Sequence, residues 1–210
     1  MAVVADLRHC SLTDFDIDPG SVDLVLTDPP YPAQFDPLLE HLAALCDRVL
    51  RDDGSAVVML GQRQLPAAFA AFAKHPSLKY RWSLLYQAPA PNPRIWPLRF
   101  WSVWKPLIWF AKGSPKAKRW REDRVAGERA KGLHIWQQGT EPFIDLTLAF
   151  SERGELVCDP FLGAGTTAVA ATLTGRRFVG CDLDADCIRK TNARLEAVGD
   201  YLRTAAQVPA

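Results

Sequence analysis

The stretch from Leu156 to Asp182 leaves this chain few architectures to choose from. Residues 156–158 (Leu-Val-Cys) are a short apolar run of strand type, and they lead directly into Asp159-Pro160-Phe161-Leu162-Gly163-Ala164-Gly165-Thr166-Thr167. Residues 166–174 then read as a helix, residues 177–181 as a second strand, and Asp182 follows that strand. Strand, glycine turn, helix and strand form the unit from which parallel sheets are built, because two parallel strands need a crossover of about this length. The two glycines permit a tight turn and a close approach of backbone to ligand. Asp182, 19 residues beyond Gly163, can accept hydrogen bonds from both ribose hydroxyls of a nucleoside.

The rest of the chain repeats the alternation. Val22–Thr27 is an apolar strand ending in a proline-rich turn, and residues 37–50 carry Leu38, Leu39, Leu42, Leu45, Val49 and Leu50 at helical spacing. A turn at 52–54 precedes a buried strand at 55–60, a helix at 65–74 opened by Pro66, and strands at 81–87 and 106–111. Residues 113–133 break the rhythm, being polar and basic, and read as an exposed loop. Helices at 143–150 and 185–198 complete the pattern, with a frayed end at 204–210. The expectation is an α/β fold: one Rossmann-like domain over 1–210, with a mostly parallel central sheet and helices on both faces. Within it, residues 1–111 form a catalytic half, 112–134 a short basic recognition loop, and 135–204 a cofactor-binding half.

The catalytic half is so assigned because of Asp28-Pro29-Pro30-Tyr31, directly after the strand Val22–Thr27. In open α/β sheets such a turn lies at the carboxyl edge, where ligands bind. An exocyclic amine on an aromatic base is a poor nucleophile, because its lone pair is delocalised into the ring. The Asp28 carboxylate and the Pro29 carbonyl form an acceptor pair that can hold both N–H groups and draw the nitrogen towards tetrahedral geometry. Pro29 and Pro30 stiffen the turn and remove competing donors, and Tyr31 offers a face for an extruded base. The glycine loop alone is less specific, since Gly163-x-Gly165-x-x-Ala168 also satisfies a dinucleotide fingerprint. Against that reading stand the little chain left after the loop and the aromatic Phe161 in front of the glycines, which suits an adenine or sulfonium pocket.

Charge is distributed unevenly. Residues 1–60 hold 3 Lys+Arg against 11 Asp+Glu, and residues 61–131 hold 15 against 3. All seven tryptophans lie in or just past that basic block, from Trp82 to Trp136. A basic surface with interleaved aromatics is the footprint of a nucleic-acid partner; the competing reading is that the tryptophans pack a core and the arginines are solvated. Lys116, Lys118, Arg119, Arg121 and Arg124 are the candidate phosphate contacts, which position without specifying sequence. No apolar run approaches a membrane span, the first ten residues lack the pattern of a secretory signal, and five cysteines without a C-x-x-C pair suit a reducing cytoplasm. The histidines and cysteines show no metal-ligand spacing.

With both motifs in view, the chain resembles the beta-class S-adenosylmethionine-dependent amino-methyltransferases of DNA, the adenine-N6 and cytosine-N4 family. In that family the catalytic tetrapeptide comes early and the cofactor loop late, a permuted order that this chain shares. Residues 5–8 with 21–24, 48–55 and 175–182 resemble further segments, so the likeness spans nearly the whole chain. The resemblance implies S-adenosylmethionine as cofactor and DNA as partner, with base flipping; members of the family occur with restriction-modification enzymes, in phages and as solitary regulators, and the sequence leaves all three open. It implies that Asp28, Pro29, Pro30 and Tyr31 hold the target base. It implies cofactor contacts from Asp6, Asp28, Gln138, Thr140, Asp159, Phe161, Gly163, Gly165, Thr166, Thr167 and Asp182. Two departures stand out: Thr-Glu-Pro at 140–142 where the family often has Gln-Lys-Pro, and a much shorter recognition region.

Aspartate at position 28 favours adenine N6, whereas cytosine-N4 enzymes more often carry serine there. RNA, a protein glutamine amide, and a DNA-binding protein that has lost its cofactor are the other readings. The glutamine enzymes typically start the turn with asparagine and place the cofactor loop first. Monomer and homodimer are both left open by the sequence.

Overall fold

The computed structural model describes residues 5–87, 94–126 and 139–205. Its elements in chain order are β1 (Ala5–His9), β2 (Val22–Thr27), α1 (Leu38–Val49), β3 (Leu50–Met59), α2 (Leu65–Ala73), β4 (Leu78–Gln87), β5 (Arg94–Ile95), β6 (Phe100–Trp101), β7 (Trp104–Lys112), β8 (Arg124–Ala126), α3 (Glu141–Phe150), β9 (Leu156–Asp159), α4 (Thr166–Leu173), β10 (Arg177–Asp182) and α5 (Ala185–Ala205). Eight strands form one sheet in the order β1-β10-β9-β2-β3-β7-β4-β8, and β5 pairs with β6 in a separate hairpin. Within the large sheet β7 runs antiparallel to its neighbours β3 and β4, and the other pairings are parallel. The expected α/β architecture is what forms.

Two buried clusters, one on each face, explain the near-continuous apolar strands. Val25, Ala56, Val58, Ile108 and Cys158 face the cluster that receives Leu39, Leu42, Cys46 and Val49 of α1 and Phe72 of α2. The intervening Leu24, Leu26, Val57, Leu107 and Val157 face the cluster shared with α3, α4 and α5. This is the period-two alternation of a pleated strand buried on both sides. Phe72 stacks on Phe110 with ring centroids 3.9 Å apart, which ties α2 to β7.

Three segments depart from the sequence reading. Residues 5–9 form an edge strand whose mixed polarity hid it, with Asp6 and His9 exposed and the other three half-buried. The turn at 52–54 is absorbed into β3 as a bulge, where Val22 pairs with Leu50 but Leu24 pairs with Ser55, and Asp53 takes φ 61°. The basic segment 113–133 is not a plain loop either. Its described part crosses the sheet, donates Lys118 N–H to the Ala149 carbonyl at 2.7 Å, and adds β8 beside β4. Of the tryptophans, Trp109 is packed, with its Nε1 donating to Ser55 Oγ at 3.0 Å, whereas Trp82, Trp96, Trp101, Trp104 and Trp120 are exposed. Among the described residues no helix is long and apolar enough to cross a membrane, and no cluster of three metal-ligating side chains forms.

Candidate active site

The connections fix where a ligand can sit. From β2 the chain leaves over one face through α1 to reach β3, and from β9 it leaves over the other face through α4 to reach β10. β2 and β9 are neighbours, so the two departures open a crevice between them at their carboxyl ends, the topological switch point of an open sheet. A cleft of about 390 Å³ lies there, lined by Cys10, Ser11 and Thr13 after β1, Asp28, Pro30 and Phe35 after β2, Phe161 and Gly163 after β9, and Asp182 and Leu183 at the end of β10. Asp28 and Gly163, 135 positions apart in sequence, are thereby brought to one surface.

At the cofactor end, Asp182 organises the rim. Its Oδ2 accepts from Gly163 N–H at 2.8 Å and its Oδ1 from Asp184 N–H at 2.9 Å. The His9 ring adds a contact to the Leu183 carbonyl at 3.0 Å, joining β1 to the same rim. A half-exposed carboxylate with lone pairs left to accept hydroxyl groups, beside the Phe161 ring, is what a nucleoside needs, and the residues present fit such a ligand.

At the other end, the catalytic turn is braced from behind. Gln64, almost fully buried, accepts from Gly61 N–H at 3.0 Å and donates to the Pro30 carbonyl at 2.9 Å. Arg63 donates to the Tyr31 carbonyl at 2.9 Å and pairs in bidentate fashion with Asp36 at 2.8 and 2.9 Å. The Pro30 and Tyr31 carbonyls are thus engaged, while none of the described groups donates to that of Pro29. Tyr31 folds back so that its hydroxyl donates to Asp28 Oδ1. Lys105 of β7 donates to that hydroxyl at 2.7 Å, lies 4.4 Å from the Tyr31 ring centroid, and stands 4.0 Å from Asp28 Oδ2. Burial raises the Asp28 carboxyl above its ordinary range, against the pull of the Tyr31 hydroxyl and the Lys105 ammonium. Burial and the Asp28 charge likewise push the Tyr31 hydroxyl up, so it remains a donor.

Several expected site residues sit elsewhere. Asp159 is buried beneath the loop, accepting from Thr27 Oγ1 at 2.6 Å and Phe161 N–H at 3.1 Å, so it shapes the cleft without lining it. Thr167 is buried and directed at the Leu26 carbonyl, and Thr166 opens α4. Gly165 is pressed against Thr191 of α5. Thr140 is buried, with Arg194 3.5 Å from its hydroxyl. Gln138 lies outside the described residues. Asp6 sits apart from the cleft: it pairs with Arg8 at 2.6 Å and lines a different depression with Leu156 and Arg177, at the amino ends of β9 and β10. Asp6 is three residues short of the end of β1, and it is Cys10–Thr13 that reach the carboxyl edge.

The basic segment is also displaced from the cleft. Lys118 is bonded to the end of α3, so Lys116, Lys118 and Arg119 lie towards the amino ends of the strands. Arg121 is turned inward onto Asp145 of α3 at 2.8 Å, with its side chain only 11% exposed. Arg124 alone of the five lies on a strand, β8, beside the carboxyl end of β4. Sequence reasoning missed Lys105, Gln64 and Arg63, because each reaches the turn from a distant element and none carries a local motif.

Asp159 supports a prediction about stability. Burial pushes its carboxyl up to about 6, opposed by its bonds from Thr27, Thr167 and the Phe161 amide. The folded protein therefore binds that proton more tightly than the unfolded chain does. Stability contributed by protonated Asp159 is full below the ordinary aspartate range and falls as pH rises to about 6, by roughly 2–3 kcal/mol. Asp159→Asn keeps an acceptor for Thr27 and the Phe161 amide, which share Oδ1, and has no proton to lose. Denaturant midpoints measured from acid to neutral pH should flatten over that window in the variant, and an unchanged slope would refute the assignment.

A family model described as DNA methylase matches residues 128–193, the stretch that contains the glycine loop and Asp182. The DNA adenine methyltransferase YhdJ of Escherichia coli (strain K12) is 24% identical over 233 residues, covering 86% of this chain and 78% of that protein. The type II methyltransferase M1.MboII of Moraxella bovis is 35% identical over 71 residues, covering 34% of this chain and 27% of its own length. Among solved structures, the M1.HpyAVI–SAM complex superposes with a TM-score of 0.73 at 21% identity, over 91% of this chain and 99% of that one. The cytosine-N4-specific PvuII DNA methyltransferase superposes at 0.77 and 15% identity, over 94% and 90%.

Proposed function

We infer that this chain, a member of the N6/N4 DNA methylase family, transfers the methyl group of S-adenosylmethionine to the N6 amine of adenine in DNA. The observation that carries this reading is the single cleft that presents the Asp28 carboxylate at one end and Asp182 with the Gly163 amide at the other. The name of the E. coli relative points to adenine and that of the PvuII enzyme to cytosine. Aspartate at position 28 favours adenine within the family.

Each residue then has a task. Asp182 receives the ribose hydroxyls, Phe161 and Leu183 give the cleft its apolar wall, and Gly163 leaves room for the ligand beside its own amide. S-adenosylmethionine supplies a methyl group made electrophilic by the attached sulfonium. Asp28 and the Pro29 carbonyl, to which none of the described groups donates, accept the two N–H groups of the extruded base, which localises the lone pair on nitrogen. On taking the methyl group the amine nitrogen would become cationic, and the Asp28 carboxylate would stabilise that charge until its proton passes to solvent. Most of the rate arises from positioning and electrostatics. Before the base enters, the Tyr31 hydroxyl holds the carboxylate; base entry displaces it from Asp28 Oδ1, and Lys105 stays beside Oδ2.

The test is transfer of labelled methyl from S-adenosylmethionine to genomic DNA, followed by nucleoside analysis. N6-methyladenine is the expected product. N4-methylcytosine would reassign the base, and absence of transfer to any nucleic acid would overturn the reading.

A further inference from the structure

Between β4 and β7 the chain projects a small hairpin in which Arg94 pairs with Trp101 and Ile95 with Phe100. It leaves the carboxyl end of β4 and re-enters the sheet through Trp104 and Lys105, so it stands on the edge that carries Asp28. Its tip is a 3-10 turn, Trp96–Leu98, closed by Arg99 at φ 57°. Trp96, Leu98, Phe100 and Trp101 are 72%, 67%, 69% and 59% exposed. Four large apolar side chains held in water on eight residues of hairpin mark a surface that is covered in use.

Charge identifies the cover. Arg94 stacks over both Trp101, 4.5 Å from its centroid, and Trp96, 5.4 Å away. From Gly54 to Arg121 the chain contains no Asp or Glu, so the only charges the hairpin itself carries are those of Arg94 and Arg99. Arginine alternating with exposed rings suits a polymer with a phosphate backbone and stackable bases. A second copy of this chain fits less well, because a two-fold contact through the hairpin would bring Arg94 and Arg99 against their own copies. The segment at 116–121 lies towards the other edge of the sheet and cannot serve the same base.

We propose that the β5–β6 hairpin is the element that engages duplex DNA next to the target nucleotide. Trp96, Phe100 and Trp101 stack on bases exposed when that nucleotide is extruded, and Arg94 and Arg99 neutralise the flanking phosphates. The proposal rests on the methyltransferase reading above.

The test pairs two measurements on the full chain: anisotropy of a short fluorescein-labelled duplex, and calorimetry with S-adenosylmethionine. The Trp96→Ala/Trp101→Ala double variant should weaken duplex binding at least about tenfold. Its cofactor affinity and melting temperature should match the parent, because both rings are exposed. Arg94→Glu/Arg99→Glu should weaken binding further and reduce its salt dependence, while Lys116→Glu/Lys118→Glu should weaken it less than either. Duplex affinity unchanged in both hairpin variants, or the reverse ranking against the lysine variant, overturns the proposal while leaving methyl transfer by the parent intact. A parent dimer that the tryptophan variant dissociates in sedimentation, with DNA affinity unaltered, would assign the hairpin to a second copy and also overturn it. A parent that binds cofactor but neither binds nor methylates DNA would defeat the functional reading itself.

Discussion

Asp28→Asn should lower methyl transfer about 100- to 1,000-fold, the effect of removing one preorganised group from a transition state. The amide keeps the shape of the carboxylate but loses the charge that offsets a cationic nitrogen, and it can present an N–H where an acceptor is needed. Cofactor affinity, measured by calorimetry, should stay close to that of the parent. Asp28 follows β2 and Asp182 ends β10, two strand spacings or roughly 10 Å apart. The pH profile gives a second reading. The carboxylate is the active form and burial has raised its pKa, so the parent loses activity on acidification at a pH above the ordinary aspartate range. The variant should lose that acid limb. Full activity in Asp28→Asn, or an acid limb that survives in its residual activity, would refute the role.

Lys105→Met separates positioning from chemistry at the same turn. The ammonium bonds the Tyr31 hydroxyl and lowers the Asp28 pKa. Removing it while keeping an apolar stem should move the acid limb to higher pH and reduce kcat, with cofactor affinity unchanged. A reduced kcat with an unmoved pH profile would leave Lys105 a structural role only.

Both chemical motifs were legible because each is local: a run of consecutive residues just past an apolar strand. The two-faced core was legible too, since doubly buried strands write continuous apolar runs. What the sequence hid depends on strand order. Thr27 and Asp159 are 132 positions apart and share a 2.6 Å hydrogen bond only because β2 and β9 are neighbours. Lys105 reaches Tyr31 only because β7 runs antiparallel, which puts its first residues at the carboxyl edge of the other strands. Arg63 and Gln64 belong to the turn for the same kind of reason, coming off the end of β3. The basic segment shows the opposite limit. Its charge was plain, but charge alone does not say which edge of a sheet a segment crosses or that Arg121 spends its guanidinium on Asp145.

Gly165→Ala should be the most destabilising small substitution in the cofactor loop. Gly165 has φ +76°, and an added Cβ would stand 2.4 Å from Thr191 Oγ1, 2.5 Å from its Cγ2 and 2.9 Å from its Cβ. The left-handed backbone costs about 1 kcal/mol for alanine, and forcing α5 away adds about 1–3 kcal/mol of overpacking. For a chain of this size the sum corresponds to a fall in melting temperature of roughly 5–15 °C. Thr191→Ala removes the two closest atoms and sacrifices little, because Thr191 Oγ1 is buried with no hydrogen-bond partner among the described residues. In the double variant it should recover part of the packing loss and none of the backbone cost, so the two changes are non-additive. Gly163→Ala is the contrast. It shares the left-handed backbone at φ +50°, but its nearest neighbour is the Phe161 carbonyl oxygen at 3.9 Å. Its methyl therefore enters the cleft rather than a helix, and it should weaken cofactor binding with a smaller loss of stability. Calorimetric affinities and melting temperatures of the two glycine variants should rank in opposite orders. The same order in both would mean that the glycines share one role, whereas opposite orders assign Gly163 to the ligand and Gly165 to the packing of α5 beneath it.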